Sequence, residues 1–132
     1  TRILGLQLYL AGIEGFLHWG YNFYYNQGSY DPVNPFLFTD GEYFVPSGDT
    51  CLVYPGEGGE AWESMRLNAM REATEDIRTL ELCEQKCGRE TVERLVREAN
   101  NGKPITFTEW PDDPSFLLDL RDRLIACIEA AG

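Results

Sequence analysis

The residues of this sequence that are best suited to chemistry are a set of aromatic side chains with an amide among them. An indole or phenol ring can cover the apolar face of a sugar ring, and a side-chain amide can both donate to and accept from the sugar's hydroxyl groups. The residues that fit this pattern are Trp19, Tyr21, Asn22, Tyr24 and Tyr54. These residues suit either a carbohydrate-binding surface or an ordinary aromatic core beneath a long loop, and their types alone leave both interpretations open.

Acidic residues offer a second possible chemistry, because many glycosidic bonds are cleaved by two carboxyl groups about 5–10 Å apart. Neighbouring Asp and Glu occur once, as Glu75-Asp76, within a helical pattern rather than at the end of a strand. Asp31 lies in a long loop, where it either contacts substrate or, since Pro32 follows it, serves as a turn residue. Asp49 precedes a strand, so we predict a turn or capping residue at the end of the strand opposite to the binding residues. We predict no catalytic residue within this chain.

The cysteines and the single histidine are not predicted to bind a metal. Cys83 and Cys87 are one helical turn apart, but a structural zinc site normally takes four ligands, and the sequence has no second pair. All four cysteines occupy apolar-patterned positions, so we predict buried, reduced thiols and no cofactor. This cysteine usage leaves the cellular compartment open. His18 and Trp19 are neighbours in a predicted strand, so their side chains should point to opposite faces. His18 is therefore interpreted as a core or helix-packing residue.

Composition limits the possible partners. Acidic residues outnumber basic ones by 22 to 11, and the formal net charge of −11 would repel the phosphate backbone of a nucleic acid. No stretch approaches the roughly 20 apolar residues that span a membrane. Of the 17 aromatic residues, 13 lie in residues 1–56. We therefore predict no nucleic-acid or membrane partner, and a contact surface in the first part of the chain.

Hydrophobic spacing predicts the elements that must position these residues. In order, they are a buried helix over 2–13, a strand over 15–19, an irregular segment over 20–49, a strand over 50–54, and helices over 62–87, 90–100 and from Pro114 to about 131. The apolar stripe of the long helix runs from Met65 to Cys87. Gly88 is predicted to end that helix, and Asp113 to cap the last one.

Two short strands do not form a stable sheet alone, so this pattern predicts part of a larger α/β fold. We predict the C-terminal portion of a (β/α)8 TIM barrel, as one partial domain over residues 1–132. Residues 1–56 would supply the last two strands and the aromatic loop, and residues 57–132 the helical part. Since the first residues have the pattern of the middle of an element, we expect a fragment of a longer polypeptide. Function in such barrels gathers at the carboxyl ends of strands, where Trp19 to Asn22 are expected.

Two arginines lie at the start of the long predicted helix. Ion pairs with acidic residues three or four positions away on the helix surface explain both Arg66 and Arg71. Because Arg66 is near the helix start, it can instead reach back to the barrel strands. Both interpretations of Arg66 stay open at this point.

Three ordered blocks of sequence resemble a known family. They are Gly15–Asn22 (GFLHWGYN), Gly48–Gly56 (GDTCLVYPG), and the pair Ser64–Leu67 (SMRL) and Arg71–Asp76 (REATED). In this order and spacing they look like the C-terminal part of the catalytic barrel of glycoside hydrolase family 123, and equally like a related bacterial domain of unknown function. The resemblance covers residues 2–88, and residues 89–132 fit only as a helical tail.

The resemblance implies a (β/α)8 barrel that acts as a β-N-acetylgalactosaminidase by substrate assistance. In that reaction the acetamido oxygen of the sugar attacks the anomeric carbon, while an adjacent Asp-Glu pair steadies the acetamido group and protonates the leaving oxygen. The pair lies on an earlier barrel strand, so it is expected upstream and outside this chain. The residues expected to contact substrate are Trp19, Tyr21, Asn22, Tyr24, Asp31 and Tyr54, with the strongest expectation for Trp19 and Asn22.

The sequence departs from the family pattern at three positions. Where the family often has Trp, this chain has Tyr24, which preserves an aromatic wall. Ala73 and Ile77 stand where Gly and Tyr are frequent, and both lie on the long helix, so these changes concern mainly packing.

These observations support one leading hypothesis and two alternatives. The leading one is part of a glycoside hydrolase for N-acetylhexosaminides that binds a carbohydrate ligand, is inactive alone and is completed by a missing N-terminal barrel segment. The alternatives are a non-catalytic carbohydrate-binding domain and a structural helical domain. In the last case the isolated chain is expected to self-associate, because open strand edges and an apolar surface remain exposed.

Overall fold

A computed structural model describes residues 2–132 of the chain and contains four α-helices and one two-stranded sheet. The elements are α1 (Leu4–Leu10), β1 (Val53–Pro55), β2 (Ala61–Glu63), α2 (Met65–Cys87), α3 (Arg89–Ala99) and α4 (Phe116–Ala130), with a short 3₁₀ turn at Glu57–Gly59. The chain divides into two compact units. The helical unit comprises residues 2–14 and 70–132, and the aromatic unit comprises residues 15–69. The predicted mixture of helices and a small sheet is confirmed.

The core of the helical unit receives side chains from all four helices. Its buried members are Leu6, Tyr9, Leu80, Cys83, Val92, Val96, Phe116, Leu120 and Leu124. Their spacing of three and four residues within α2, α3 and α4 is the pattern that predicted these helices, and the inward stripes are confirmed there. Met65 was placed on the buried stripe wrongly: it is 82% exposed, because it begins α2 and lies outside this core.

Helix α1 is shorter than predicted and packs closely on α2. It ends at Leu10, where Gly12 adopts a positive φ of 65° and the amide of Ile13 donates to the carbonyl of Leu8 at 3.0 Å. A Cβ atom at Gly5 would collide with the backbone carbonyl of Ala73. Glycine at position 5 therefore allows the two helix backbones to approach each other.

The strand predicted over residues 15–19 is wrong, since these residues have no regular secondary structure and no strand partner. A strand needs a neighbour for its backbone groups, and the side chain of Leu17 is 83% exposed. Extended pairing begins further along the chain, with an isolated bridge between Asn22 and Cys51 and a second between Tyr25 and Pro32. The rest of the segment from 20 to 49 is irregular, as predicted.

The sheet of the aromatic unit is a tight antiparallel hairpin. Strand β1 falls at the end of the strand predicted over 50–54, and Tyr54 pairs with Trp62 in β2. The sequence pattern predicts Trp62 at the start of the long helix. Helix α2 instead begins at Met65, because Gly58 and Gly59 adopt positive φ angles and return the chain along β1.

The ends of the other helices follow local chemistry. The hydroxyl of Ser64 accepts from the amide of Leu67 at 3.2 Å, which caps the start of α2. Gly88, with a φ of 84°, ends α2 as predicted. Asp113 lies three residues before α4 begins at Phe116 and does not cap the helix directly. Its carboxylate instead accepts from the amide of Ser115.

None of the helices within residues 2–132 is both long enough and apolar enough to cross a lipid bilayer.

Candidate functional site

Two stretches of the aromatic unit lie side by side and form the backbone of the candidate site. The amide of Phe23 donates to the carbonyl of Thr50 at 2.9 Å, and the amide of Leu52 donates to the carbonyl of Tyr21 at 2.7 Å. The Asn22–Cys51 bridge between these hydrogen bonds is antiparallel. Residues 19–22 therefore lie beside residues 49–52, and the expectation that Asp49 occupies the opposite end from Trp19 is wrong.

Trp19 is held in place by its nitrogen and its ring edges. Its Nε1 donates to a carboxylate oxygen of Asp49 at 3.0 Å. Its ring centroid lies 5.4 Å from that of Phe23 and 5.8 Å from that of Phe44, in tilted and edge-on arrangements. The side chain is nevertheless 45% exposed. Trp19 thus combines a fixed orientation with an accessible surface, and Asp49 positions it in addition to forming a turn.

Tyr21 and Asn22 follow Trp19 with their side chains exposed. The carbonyl of Tyr21 accepts from the amides of Leu52 and Val53, while its ring is 50% exposed. The amide side chain of Asn22 makes no hydrogen bond to any other residue in the range 2–132, so it is available to donate to and accept from a ligand.

A second aromatic group surrounds Tyr54. The ring of Phe36 stacks on Tyr54 with centroids 5.0 Å apart and planes inclined by 24°, and Trp62 meets Phe36 edge-on at 6.3 Å. Phe36 and Trp62 are each about half exposed. Neither was predicted as a site residue. Part of the signal for Trp62 was available, because Gly58-Gly59 favours a hairpin turn that returns the chain along Val53–Pro55. A two-residue turn at Gly58-Gly59 would, however, set a register one residue away from the observed pairing of Tyr54 with Trp62.

Arg66 connects this second group to the strands. Its guanidinium donates through Nη2 to the carbonyl of Cys51 at 2.8 Å and to the hydroxyl of Tyr54 at 3.0 Å, and through Nε to the same carbonyl at 3.2 Å. The cation also lies 5.6 Å from the centroid of the Tyr54 ring. Of the two interpretations of Arg66, the one in which it reaches back to the strands is confirmed.

We expect Arg66→Lys to destabilise the aromatic unit by about 1–2 kcal/mol, because an ammonium group cannot reproduce the forked hydrogen bonds to Cys51 and Tyr54. Urea unfolding followed by tryptophan fluorescence will measure the change. The matched control is Arg71→Lys, at an exposed position of the same helix, which should leave the midpoint unchanged. Equal midpoints for both variants would contradict the positioning role of Arg66.

Tyr24 and Asp31 have their polar groups engaged within the protein. The hydroxyl of Tyr24 donates to the carbonyl of Val53 at 2.7 Å, and burial raises the pKa of this phenol, which keeps the donor protonated. A carboxylate oxygen of Asp31 accepts from the side-chain amide of Asn26 at 3.2 Å, and the carbonyl of Asp31 accepts from the amide of Asn26 at 3.1 Å. The turn interpretation of Asp31 agrees with this geometry. The structure brings Trp19, Tyr21 and Asn22 together along one stretch and groups Tyr54 with Phe36 and Trp62.

Residues 1–83 match the family described as glycoside hydrolase 123, catalytic domain. The chain belongs to this family. The resemblance carried by the three sequence blocks is thereby confirmed, and with it a glycoside hydrolase type of function. No curated protein matches the chain.

The glycoside hydrolase 123 match covers the whole aromatic unit and ends within α2 at Cys83. All six residues predicted to contact substrate lie inside it. Helices α3 and α4 lie outside it. A cavity of about 550 Å³ near Trp110 in the helical unit is lined by none of the six.

The only neighbouring Asp and Glu of this glycoside hydrolase 123 chain lie in the middle of α2. Asp76 is 6% exposed, and its carboxylate accepts from Nε of Arg2 at 2.8 Å and from Nε of Arg121 at 2.9 Å. The hydrogen bond to Asp76 raises the pKa of Arg2, so this guanidinium group stays protonated. Glu72 lies near both guanidinium groups, at 3.7 and 3.4 Å. This arrangement crosslinks helices and leaves Asp76 no access to a substrate.

Three of the four thiols form a cluster that the spacing of the cysteines in the sequence does not predict. The sulfur atoms of Cys83, Cys87 and Cys127 all lie within 4.8 Å of one another, while Cys51 is buried in the aromatic unit. Burial and a hydrogen bond from the Cys83 thiol to Cys127 raise the pKa of Cys83 to about 12. All four thiols are free, but the prediction that all four are buried is wrong for Cys87 and Cys127, which are half-buried. The interpretation of Cys83 and Cys87 as an isolated pair is also wrong, because α4 brings Cys127 to them.

His18 is half-buried, and its Nε2 has no hydrogen-bond partner within the described part of the chain. It lies beside Trp19 without contributing a polar contact to the site. Its predicted packing role stays a prediction.

Proposed function

We propose that this chain forms the C-terminal part of a (β/α)8 catalytic barrel that hydrolyses N-acetylhexosaminides, and that it supplies aromatic contacts to the sugar. The observation that carries the proposal is Trp19, an indole fixed by Asp49 yet 45% exposed, in a segment that matches a hydrolase catalytic domain. A rigid, accessible indole presents an apolar face without an ordering cost on binding. The free amide of Asn22 lies close by in the sequence and suits the hydroxyl groups of the same sugar.

Within this proposal, the catalytic Asp-Glu pair is supplied by sequence upstream of this chain. The engagement of Asp76 with Arg2 and Arg121 supports this division, because a general acid must reach the leaving oxygen of the substrate. The missing N-terminal barrel segment is then the partner of the aromatic unit, whose Leu17, Tyr30 and Tyr43 are each more than 80% exposed. Burying such side chains against a neighbouring segment is favourable.

The isolated 132-residue chain should therefore bind but not cleave. We expect no release of nitrophenol from nitrophenyl N-acetyl-β-hexosaminides by the purified chain, because the acid that protonates the leaving oxygen is absent. A continuous absorbance assay will check this, with a commercial N-acetylhexosaminidase as the positive control. Clear turnover by the purified chain that is reduced in Trp19→Ala would overturn the division of labour.

Replacing Trp19 with alanine should weaken the binding of N-acetylgalactosamine or N-acetylglucosamine about tenfold, which corresponds to about 1.4 kcal/mol. This is the size expected for the loss of one aromatic platform. Titration calorimetry will compare the wild-type chain with Trp19→Ala and with Trp110→Ala. Trp110 is a matched control because it is 48% exposed, against 45% for Trp19, and lies outside the family match. Equal losses in the two variants, or no saturable binding to the wild-type chain, would count against the sugar site.

A non-catalytic carbohydrate-binding domain is the second candidate function. The exposed group of Phe36, Tyr54 and Trp62 favours it, because it offers an aromatic surface that does not depend on Trp19. If sugar affinity is lost in Trp62→Ala but kept in Trp19→Ala, this second candidate is preferred.

A further inference from the structure

The helical unit contains three thiols that converge from two helices. Cys83 and Cys87 are four residues apart on α2 and therefore share one face of that helix. Cys127 of α4 faces them, with its sulfur 3.0 Å from that of Cys87. We propose that Cys83, Cys87 and Cys127 form a three-thiolate site for a single thiophilic d10 metal ion, of which Zn²⁺ is the representative.

The distances between the sulfur atoms suit such an ion. Zinc binds cysteine sulfur at about 2.3 Å in a tetrahedral arrangement, which separates two ligand sulfurs by about 3.8 Å. The sulfur atoms of Cys87 and Cys127 are 3.0 Å apart, and no pair among the three is separated by more than 4.8 Å. The required separation of about 3.8 Å lies between these two values.

The burial of the three thiols differs in a way that suits a site with an open coordination position. Cys83 is fully buried in the core beside Leu80, whereas Cys87 and Cys127 are half-buried. An ion bound by the three sulfurs would have the buried sulfur of Cys83 on its core side. On its other side, next to the half-buried Cys87 and Cys127, a water molecule can complete the coordination. Soft thiolate ligands select zinc and Cu⁺ over magnesium or calcium.

The thiol cluster lies in the helical unit, whereas the residues of the proposed sugar site lie in the aromatic unit. Cys87 and Cys127 lie outside the residues that match the hydrolase catalytic domain. The site joins the end of α2 to α4, so a bound ion would stabilise the helical unit by linkage to its folded state. A binding test of this site therefore does not depend on hydrolysis.

Cd²⁺ titration of the full 132-residue chain, in the presence of a non-thiol reductant, tests the proposal. We expect a sulfur-to-cadmium charge-transfer band that saturates at one ion per chain, and displacement competition will give the affinity for Zn²⁺. Cys127→Ser should weaken binding at least tenfold, because a three-thiolate site would be reduced to two ligands. Cys51→Ser is the matched control and should leave the band and the affinity unchanged, since Cys51 lies in the other unit.

A second measurement keeps the test informative if a buried substitution disturbs folding. Circular dichroism will show whether Cys83→Ser folds, and Cys87→Ser alters only a half-buried thiol. Zn²⁺ should raise the melting temperature of the wild-type chain and of Cys51→Ser, and should not raise that of Cys87→Ser or Cys127→Ser. A band without one-to-one saturation, equal binding by all variants, or no band at all would overturn the site.

Discussion

Replacing Asp76 with alanine should destabilise the helical unit by about 3 kcal/mol. Two guanidinium groups, of Arg2 and Arg121, would lose the carboxylate between them, and removing one partner of a buried ion cluster costs about 3–5 kcal/mol. The lower end of this range applies because each arginine side chain is 23% exposed and can recover some hydration. Urea unfolding followed by far-ultraviolet circular dichroism will measure the change in unfolding free energy.

Glu75→Ala is the matched control for Asp76. Glu75 is the neighbouring residue on α2 and carries the same charge, but it is exposed. Its removal should change the unfolding free energy by less than about 0.5 kcal/mol. If both variants are destabilised equally, the effect comes from the change in net charge rather than from the cluster, and the structural role of Asp76 is contradicted.

Replacing Gly20 with alanine should destabilise the aromatic unit by about 2 kcal/mol and weaken sugar binding with it. A Cβ atom at this position would collide with the carbonyl oxygen of Asp49 and lie 2.9 Å from the carbonyl carbon of Thr50. Both obstacles are backbone atoms, so a rotamer change cannot relieve them, and overpacking of this kind costs about 1–3 kcal/mol. The separation of the two stretches that hold Trp19 and Asp49 would increase.

Gly15→Ala provides the comparison for Gly20. Nothing lies within 4 Å of a Cβ atom built at Gly15, although it belongs to the same sequence block. Urea unfolding of both variants, followed by tryptophan fluorescence, should show a lower midpoint only for Gly20→Ala. An unchanged midpoint for Gly20→Ala would mean that residues 20 and 49 can separate freely, which would contradict the role of the close approach in positioning Trp19.

The helices were predictable because their cores are defined by local periodicity. Leu80 and Cys83 of α2, and Leu120 and Leu124 of α4, are buried at the spacing that the sequence displays. The strands were less predictable, because pairing depends on residues far apart in the chain. Strand β2 has no buried residue, so its sequence carries no alternation to detect, and the strand predicted over residues 15–19 has an apolar pattern but no partner.

The candidate site was predictable in its residue types and not in its arrangement. The aromatic set located the correct segment, yet the hydrogen bond between Trp19 and Asp49 spans thirty positions and follows from antiparallel pairing, not from any local motif. The third thiol of the cysteine cluster was missed for the same reason, since Cys127 lies forty positions beyond Cys87. Arg66 was the exception, because its place at a helix start limited what it could reach.

The division of the chain has a consequence for the order in which it is synthesised. The aromatic unit is one continuous stretch from residue 15 to residue 69, whereas the helical unit is assembled from residues before and after that stretch. On the ribosome, residues 15–69 emerge together and are able to fold first. Helix α1 must wait for Leu120 and Leu124, more than a hundred positions later, before its core is complete. We therefore expect truncated nascent chains to protect the aromatic unit from proteolysis well before they protect α1.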